Sequence, residues 1–283
     1  TTDIDKPLPA PITNEQIKEE ISTKPKERVP SPQQKVIYDF IQVGTGNAAL
    51  DAKAGTGKTT TIVDALKFIP KEKRVAFCAF SKAIVEELQP KIRQGVHLST
   101  LHSFGFSSIK AIYGNSLRIE ADKNKIVLNN YLLAITDHEQ IMEEGEKVLF
   151  LSNCYRLISI AKQNLTDDPT TLELEAEKLG LSLVGNESKY IKTCLEKLLE
   201  RKDMIDFDDM IYLPAKYLKL PVQKFDFVFV DECQDMTPLY YDLCCKIIFS
   251  HKIKPKICIL GDPDQNIFKY NGADKRFMEF AKD

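Results

Sequence analysis

The segment Ala54-Gly55-Thr56-Gly57-Lys58-Thr59-Thr60 constrains the fold more than any other part of this sequence. It follows the short apolar run Ala48 to Asp51 and opens a helix that we expect to reach about Phe68. A glycine-rich turn between a strand and a helix is the setting of a P-loop, in which backbone N–H groups and the helix N-terminus face phosphate oxygens. Because Ala52 stands where the general pattern has glycine, the match rests on Gly-Lys-Thr and its context. The alternative is an ordinary glycine-rich turn with an exposed lysine.

Other apolar runs of strand length predict the rest of a sheet. They cover Arg74 to Phe80, Val96 to Ser99, Phe225 to Val230 and Lys256 to Leu260. The last two are apolar throughout, which is typical of strands covered on both faces. Helical segments alternate with these runs, and the first of them is opened by a capping serine and a proline at Ser31-Pro32. The alternation predicts an α/β fold with a doubly wound parallel sheet.

A change in character from about Phe106 predicts a second unit. Leucines recur there at helical spacing, and glycines and β-branched runs are sparse, which favours a mostly helical subdomain inserted into the α/β domain. Prolines and charges among the first residues indicate a flexible arm. The predicted organisation is an arm at 1–27, a first α/β part at 28–105, the insertion at 106–204 and a second α/β part at 205–283.

Composition limits the class of protein. Of 283 residues, 43% are hydrophobic and 28% are charged, which excludes collagen-like, disordered and coiled-coil chains. No apolar run is long enough to span a bilayer and no secretory signal is visible, so we expect an intracellular protein, in cytoplasm or nucleus, without a membrane partner. The seven cysteines form no CxxC pair and are expected to be reduced. With a net charge of −2, any contact with nucleic acid must be local.

The acidic segment Asp231-Glu232-Cys233-Gln234-Asp235 completes a candidate catalytic site. It follows the predicted strand that ends at Val230, and the carboxyl ends of strands are where ligands bind in open α/β sheets. Asp231 and the Thr59 hydroxyl would hold Mg²⁺, Lys58 would reach the β- and γ-phosphates, and Glu232 would orient and deprotonate the attacking water. A solvated acidic loop is the alternative. Together, the two segments predict Mg²⁺-dependent hydrolysis of a nucleoside triphosphate.

Five further segments carry a family resemblance. In chain order they are Ser-Pro-Gln-Gln at 31–34, Ala-Phe-Ser-Lys-Ala at 79–83, Ser-Thr-Leu-His-Ser-Phe at 99–104, Asp-Phe-Asp-Asp-Met at 206–210, and Gly-Asp-Pro-Asp-Gln-Asn-Ile-Phe-Lys-Tyr-Asn-Gly-Ala-Asp at 261–274. In this order and spacing the set resembles the N-terminal half of UvrD/Rep-type superfamily 1A DNA helicases. The segment at 79–83 is most similar to the F-box helicase and phage-type branch.

The resemblance implies a RecA-like ATP-binding domain and a role for each matching residue. It implies adenine recognition by Gln34 and contact between Gln265 and the γ-phosphate. The implied ATP-binding residues are Gln34, Ala54, Gly55, Thr56, Gly57, Lys58, Thr59 and Thr60, and the implied catalytic residues are Lys58, Asp231, Glu232 and Gln265. For single-stranded DNA, it implies base stacking on Phe80 and Tyr270 and backbone contacts from Ser81, Thr100 and His102.

The implied function is that of the motor half of a DNA helicase, with ATP and Mg²⁺ as cofactors. Its implied partners are single-stranded DNA, duplex junctions and a second RecA-like half, and without that half we expect weak activity. Asn271 stands where the family usually has arginine, which leaves that contact open. The alternatives are a switch module that binds ATP and DNA without unwinding, and an unrelated P-loop enzyme. An RNA substrate is also open, because stacking and phosphate contacts do not test for the 2′-hydroxyl.

Overall fold

The computed structural model describes residues 29–53, 55–138, 142–218, 225–249, 255–262 and 264. The predicted arm at 1–27 and the predicted site residues Ala54, Gln265 and Tyr270 lie outside the described residues. The described strands are β1 (Ala48–Asp51), β2 (Val75–Ala79), β3 (Val96–Thr100), β4 (Arg118–Ile119), β5 (Met204–Ile205), β6 (Phe227–Val230) and β7 (Lys256–Gly261).

Helices alternate with these strands along the chain. They are α1 (Pro32–Val43), α2 (Lys58–Ala65), α3 (Lys82–Leu88), α4 (Leu101–Tyr113), α5 (Lys123–His138), α6 (Glu144–Gln163), α7 (Pro169–Lys178), α8 (Glu187–Glu200), α9 (Asp209–Lys216) and α10 (Pro238–Phe249). One 3₁₀ turn, Leu66–Phe68, extends α2, and another, Cys233–Asp235, follows β6. The helix predicted from Lys58 to Phe68 is therefore an α-helix that tightens in its last turn.

The central sheet has five parallel strands in the order β1-β7-β6-β2-β3. This confirms the predicted α/β fold with a parallel sheet. Two strands begin later than predicted, because the carboxylate of Asp226 accepts a hydrogen bond from the backbone N–H of Arg74 before the ladder starts at Val75 and Phe227. In a parallel sheet all carboxyl ends meet at one edge, so the loops after β1, β6 and β7 lie side by side.

Both faces of the sheet are covered, as the apolar strands predict. Along β2, Val75 and Phe77 pack with α1 and α2 on one face, whereas Ala76 and Cys78 belong to the core on the other face. That second core is continuous with the residues that α5 to α8 bury, among them Leu128. The helical segment therefore shares its hydrophobic core with the sheet.

The chain enters and leaves the helical segment at neighbouring points. Strand β4 pairs in parallel with β5, so that Arg118 lies beside Met204. Helix α4 runs without interruption across residue 106, where the insertion is predicted to begin. The boundaries at 106 and 204 remain predictions.

A buried cluster of charges holds this junction together. Lys123 Nζ donates to Asp209 at 2.6 Å, and Lys162 Nζ contacts both Asp206 and Asp209 at 2.8 Å. Both lysine side chains are 1% exposed. The backbone N–H of Asp209 donates to Asp206 at 2.7 Å, so the cluster also fixes the turn that starts α9.

Two further expectations concern membrane-spanning segments and the state of the cysteines. Within the described residues, every helix is too short or too polar to cross a bilayer. All seven cysteines are free thiols, and all but Cys245 are buried. Burial raises the pKa of Cys78 to about 12, which keeps this thiol protonated at neutral pH.

Candidate functional site

The loop after β1 has the backbone of a phosphate cradle. Gly55 and Gly57 have φ angles of +75° and +82°, a conformation that L side chains rarely adopt. The backbone N–H and the hydroxyl of Thr56 both donate to the carbonyl of Lys53, which closes the turn. Ala52 donates its N–H to the carbonyl of Gly261, so the loop is also joined to the end of β7. These bonds fix the described part of the loop beside the end of β7, directly before the first turn of α2.

Lys58, the first residue of α2, has an ammonium group whose charge is not balanced by a hydrogen-bonded carboxylate among the described residues. Its side chain is 9% exposed, and Nζ has no hydrogen-bond acceptor among the described residues. The nearest carboxylate oxygen is Oε2 of Glu232, at 3.6 Å. A buried ammonium group without acceptors is costly, so this arrangement fits an anionic ligand such as a phosphate.

Asp231 and Glu232 lie at the carboxyl end of β6, opposite Lys58. Asp231 is 4% exposed, and burial, assisted by the charge of Glu232, raises its pKa to about 6. Glu232 has the left-handed backbone conformation, with a φ of +52°, which is unfavourable for a residue with a side chain. A raised carboxyl pKa and a strained backbone at adjacent positions are typical of functional sites.

Gln234 connects the acidic loop to the end of β7. Its Nε2 donates to Glu232 Oε2 at 2.6 Å, and its Oε1 accepts from the backbone N–H of Asp262 at 2.9 Å. The predicted γ-phosphate residue Gln265 follows three positions after Asp262, outside the described residues. Gln234 therefore holds the candidate base Glu232 against the strand that leads to that segment.

The residues predicted for Mg²⁺ fit a site that substrate phosphates complete. Among the described residues there is no group of three or more His, Cys, Asp or Glu side chains arranged for a metal ion. Mg²⁺ needs fewer protein ligands, because it usually keeps several waters and binds through one or two carboxylates together with phosphate oxygens. Thr59 is half-buried in the first turn of α2, and Asp231 is buried at the neighbouring strand end. Thr60, also predicted to bind nucleotide, is exposed.

Gln34 has partners within the protein in this structure. Its Oε1 accepts from the backbone N–H of Ser31, and the Ser31 hydroxyl accepts from the Gln34 N–H, a capping box at the start of α1. Its Nε2 donates to the hydroxyl of Thr61 in α2 at 3.0 Å. The carboxamide thus joins α1 to the P-loop helix, and it keeps a second N–H donor and a second acceptor site for the predicted contact with adenine.

Four of the residues predicted for DNA contact come together beyond β2 and β3, and the fifth, Tyr270, lies outside the described residues. These strands are neighbours, with Ala79 beside Thr100, so Phe80 and Ser81 lie next to Thr100 and His102. Ser81 and Thr100 cap α3 and α4, accepting from backbone N–H groups. Burial lowers the pKa of His102, opposed by the charge of Asp208, so His102 is neutral at pH 7 and can act as a hydrogen-bonding group.

Tyr240 in α10 joins this cluster and was missed in the sequence. Its ring lies 6.1 Å from that of Phe80 in a stacked arrangement, and 5.7 Å from that of His102 in an edge-on arrangement. The available signal was the aromatic pair Tyr240-Tyr241 just after the acidic segment. The pairing of β2 with β6 brings α10, which follows β6, to the loop that carries Phe80.

A cavity of about 370 Å³ opens beside this aromatic cluster. Phe80, Thr237 and Tyr240 line it on the side of the sheet, and Gln163, Asn164 and Leu179 line it on the side of the helical segment. Its polar wall is a hydrogen-bonded chain in which the Thr237 hydroxyl donates to Gln163 and the Gln163 amide donates to Asp208, both at 3.0 Å. The cavity therefore lies where the two parts of the fold meet.

The fold and the site define a class of P-loop protein, and comparison with known proteins gives its family. A family model described as the UvrD/REP helicase N-terminal domain matches residues 32–283. The chain therefore belongs to the UvrD/REP helicase family, which confirms the resemblance seen in the motifs. The five-stranded parallel sheet is consistent with the RecA-like domain of such helicases.

Curated relatives agree with this assignment. The chain is similar to F-box DNA helicase 1 of Gallus gallus, with 27% identity over 257 residues, covering 85% of this chain and 24% of that protein. It is also similar to the ATP-dependent DNA helicase PcrA of Staphylococcus epidermidis, with 26% identity over 268 residues, covering 87% of this chain and 35% of that protein. PcrA of Staphylococcus aureus is 24% identical over the same length. The chain thus spans about a quarter to a third of the length of these relatives.

Proposed function

We propose that this chain is the ATP-binding half of a superfamily 1 DNA motor, which hydrolyses ATP with Mg²⁺ and moves on single-stranded DNA. The observation that carries the proposal is the buried ammonium group of Lys58, which has no hydrogen-bond acceptor in the described part of the chain and lies near the carboxylates of Asp231 and Glu232. Family membership and the names of the relatives, which are DNA helicases, support the same reading. A second RecA-like half is the partner that would complete the ATP site.

Phosphate binding would change the partners of Lys58. The nearest carboxylate oxygen to Lys58 Nζ among the described residues is Glu232 Oε2, at 3.6 Å, which is too long for a hydrogen bond. A γ-phosphate in the P-loop offers a closer anion, so Lys58 would turn to the phosphate and leave the Glu232 carboxylate free to accept a proton. Thr59 and Asp231 are the residues that would hold Mg²⁺, which neutralises charge on the phosphate oxygens when bound.

Glu232 is the residue we assign to the attacking water. Its carboxylate is partly exposed, whereas that of Asp231 is buried, so Glu232 is the one of the two that can reach a water molecule. Gln234 donates to one of its oxygens and leaves the other to orient the water. Gln234 also accepts from the N–H of Asp262. A movement of Glu232 when the γ-phosphate is lost would therefore shift Gln234 and the end of β7.

Single-stranded DNA would cross the surface formed by Phe80, Ser81, Thr100 and His102. Bases can stack on the Phe80 ring whatever their sequence, which suits a protein that moves along a strand. The hydroxyls and the neutral imidazole supply hydrogen bonds to the backbone but no positive charge. Salt-dependent binding must therefore depend on cations elsewhere.

Nucleotide binding tests the proposal at its central residue. Lys58→Ala should weaken ATP binding at least tenfold, because a charge-assisted contact to phosphate contributes about 1.5–3 kcal/mol. Lys67→Ala is the matched control, since Lys67 follows α2 closely and is 67% exposed. Fluorescent ATP should be titrated against each variant with and without Mg²⁺. Equal affinity of Lys58→Ala and the unaltered chain would contradict the P-loop assignment.

A further inference from the structure

Thr61 in α2 connects the residue predicted to recognise adenine with the phosphate loop. Thr61 is 4% exposed, and its hydroxyl accepts a hydrogen bond from Gln34 Nε2 at 3.0 Å. The same hydroxyl donates to the carbonyl of Gly57 at 2.8 Å. On the other side of the carboxamide, the backbone N–H of Ser31 donates to Gln34 Oε1 at 2.9 Å. A continuous chain of three hydrogen bonds therefore runs from the start of α1 to the P-loop.

Both ends of this chain are backbone groups, and they fix the direction of every hydrogen bond within it. The backbone N–H of Ser31 can only donate, so the Gln34 atom beside it must be the oxygen. The carbonyl of Gly57 can only accept, so the Thr61 hydroxyl uses its one proton there and offers a lone pair to Gln34. The group beside Thr61 must then be the NH₂. The carboxamide of Gln34 is thus held in one of its two orientations.

The contact with Gln34 distinguishes Thr61 from an ordinary helical threonine. A threonine hydroxyl commonly donates to the carbonyl four residues earlier in its helix, and this bond alone would indicate no function. The bond from Gln34 joins residues that are 27 positions apart and belong to different helices. It also satisfies the second hydrogen-bonding capacity of a buried hydroxyl, which a valine at this position would not have.

The orientation of a carboxamide decides which base it can recognise. Glutamine contacts adenine through two bonds, in which its oxygen accepts from the N6 amino group and its N–H donates to N7. Guanine has the carbonyl oxygen O6 in place of that amino group, so a fixed amide oxygen at this point repels guanine. The two bonds that hold Gln34 use one N–H and one acceptor site, which leaves the second of each for a base.

We infer that Thr61 is a positioning residue that sets the preference of the nucleotide site for ATP over GTP. Without its hydroxyl, the carboxamide of Gln34 would be held by Ser31 alone and could turn away from guanine O6. The P-loop would keep its bond, because the backbone N–H of Thr61 also donates to the Gly57 carbonyl at 2.8 Å. This inference rests on the proposed function, since it presumes that ATP binds at the P-loop with adenine beside Gln34.

Nucleotide competition tests the role of the hydroxyl on the 283-residue chain. ATP and GTP should each displace a ribose-labelled fluorescent ATP in the presence of Mg²⁺. The unaltered chain should bind ATP about tenfold or more tightly than GTP, because GTP loses one hydrogen bond and meets a repelling oxygen. Thr61→Val should lower this preference about three- to tenfold, the usual contribution of one hydrogen bond. Thr61→Ser keeps the hydroxyl and should keep most of the preference.

Two controls separate positioning of Gln34 from support of the P-loop. Inorganic tripolyphosphate has no base, so its inhibition constant should be the same for Thr61→Val and the unaltered chain. Thr136→Val removes another buried hydroxyl that donates to a carbonyl of its own helix, and it should leave both nucleotide constants unchanged. Thermal unfolding would show that each variant is folded. If Thr61→Val does not fold, Thr61→Ala, which also lacks the hydroxyl, takes its place.

The outcomes distinguish failure of this inference from failure of the proposed function. If the unaltered chain binds neither nucleotide nor tripolyphosphate, the proposed function itself is contradicted. Gln34→Ala gives the preference that remains without the carboxamide. If Gln34→Ala abolishes the preference for ATP and Thr61→Val retains it, the role of Thr61 is wrong and the proposed function stands. Equal binding of ATP and GTP by the unaltered chain, or weaker binding of tripolyphosphate by Thr61→Val, would also overturn the role of Thr61.

Discussion

Asp231 and Glu232 are two residues whose conformation or environment lowers the stability of the folded chain. One carboxyl group is buried with a pKa raised to about 6, and the next residue has a φ of +52°. Both features cost free energy in the folded chain. Asp231 and Glu232 lie with Lys58 around the space that we assign to the phosphates. A bound ligand that places a metal ion beside Asp231 and phosphate oxygens beside Lys58 would offset this cost in free energy.

Asp231→Asn should stabilise the ligand-free protein at neutral pH. An acid whose pKa is higher in the folded chain than in the unfolded chain contributes stability at low pH, and this contribution is lost as the pH rises through about 6. Asparagine can accept the same Glu232 N–H without a charge, so the gain at pH 7.5 should be up to about 3 kcal/mol. Urea unfolding at pH 5 and pH 7.5 would measure it, and the gain at pH 5 should be roughly half of the gain at pH 7.5, because an unfolded aspartate with a pKa of about 3.9 is already ionised at pH 5.

Asp226→Asn is a control, because its expected effect on stability has the opposite sign to that of Asp231→Asn. Although partial burial acts against it, hydrogen bonds from the Arg74 N–H and from Lys73 lower the pKa of Asp226. Asp226→Asn should therefore destabilise the chain at pH 7.5. If Asp231→Asn also destabilises it there, then burial does not disfavour the ionised form of Asp231.

At the scale of elements, the contact between α4 and α9 fixes the junction of sheet and helices. Gly105 in α4 lies so close to α9 that an added Cβ would stand 1.8 Å from the carbonyl oxygen of Met210. The neighbouring atoms are backbone and cannot move aside as a side chain would. Glycine at this position therefore allows two helices to approach closely, although it is a poor helix former.

Gly105→Ala and Gly145→Ala should have effects of opposite sign. At Gly105 the clash with Met210 must separate α4 from α9, with an expected loss of stability of about 1–3 kcal/mol or more. Near Gly145, in the first turn of α6, the described residues leave the space around an added Cβ open, and alanine should stabilise the helix by roughly 0.5–1 kcal/mol. Chemical denaturation of both variants would check this, and equal effects would contradict the close approach of α4 and α9.

The buried charges join α5 and α6 to the start of α9 and give a second prediction. Burial alone would lower the pKa of Lys162, but the carboxylates of Asp209 and Asp206 outweigh burial and raise it. Lys162→Met would leave these carboxylates with one lysine, Lys123, and should cost about 3–5 kcal/mol. Lys178→Met, which removes an exposed pair with Glu175, should cost less than about 1 kcal/mol. A similar small loss at both positions would mean that the cluster is not buried in solution.

Sequence patterns predicted the five strands of the central sheet because each is a mainly apolar run next to a turn, but they missed the two-residue strands β4 and β5. They also predicted that Lys58 lies near Asp231 and Glu232, since a parallel sheet brings the ends of β1 and β6 to one edge, whereas the roles of these residues stay predictions. The ion cluster could not be predicted, because Lys123 and Lys162 are far along the chain from their carboxylates and look like ordinary charges on a helix surface. Tyr240 was missed for the same reason. Such contacts depend on tertiary packing and leave no local pattern.

For the whole molecule, the decisive feature is that the helical segment and the sheet share one core. Residues of β2 and β6 such as Ala76 and Val228 belong to the same buried cluster as Phe150 of α6 and Ile191 of α8. The cavity and the charge cluster both lie along this shared boundary. Motion between the sheet and the helices would therefore break apolar contacts, so we expect them to move as one body when ATP binds.

The 283-residue chain by itself should bind ATP, hydrolyse it slowly and unwind no DNA. Among the described residues, Lys58 is the cation near Asp231 and Glu232, and no ion pair or hydrogen bond brings an arginine to this group. An arginine that stabilises charge on the transferring phosphoryl group contributes roughly 10³–10⁵ in rate, or about 4–7 kcal/mol of the barrier. In helicases of this family, a second RecA-like half is the implied source of that arginine. A single body also lacks the opening and closing that would move it along a strand.

Steady-state ATP hydrolysis with saturating single-stranded DNA, measured beside unwinding of a forked duplex, checks this expectation. Adding the second half of a relative such as PcrA as a fused segment should raise the hydrolysis rate by orders of magnitude, and Lys58→Ala in the fusion should abolish the gain. Lys67→Ala in the same fusion is the control, because its exposed side chain lies outside the phosphate site. Rapid DNA-stimulated turnover by the isolated chain would contradict the prediction. A rate that rises with the square of protein concentration would then point to an arginine supplied by a second copy of the chain.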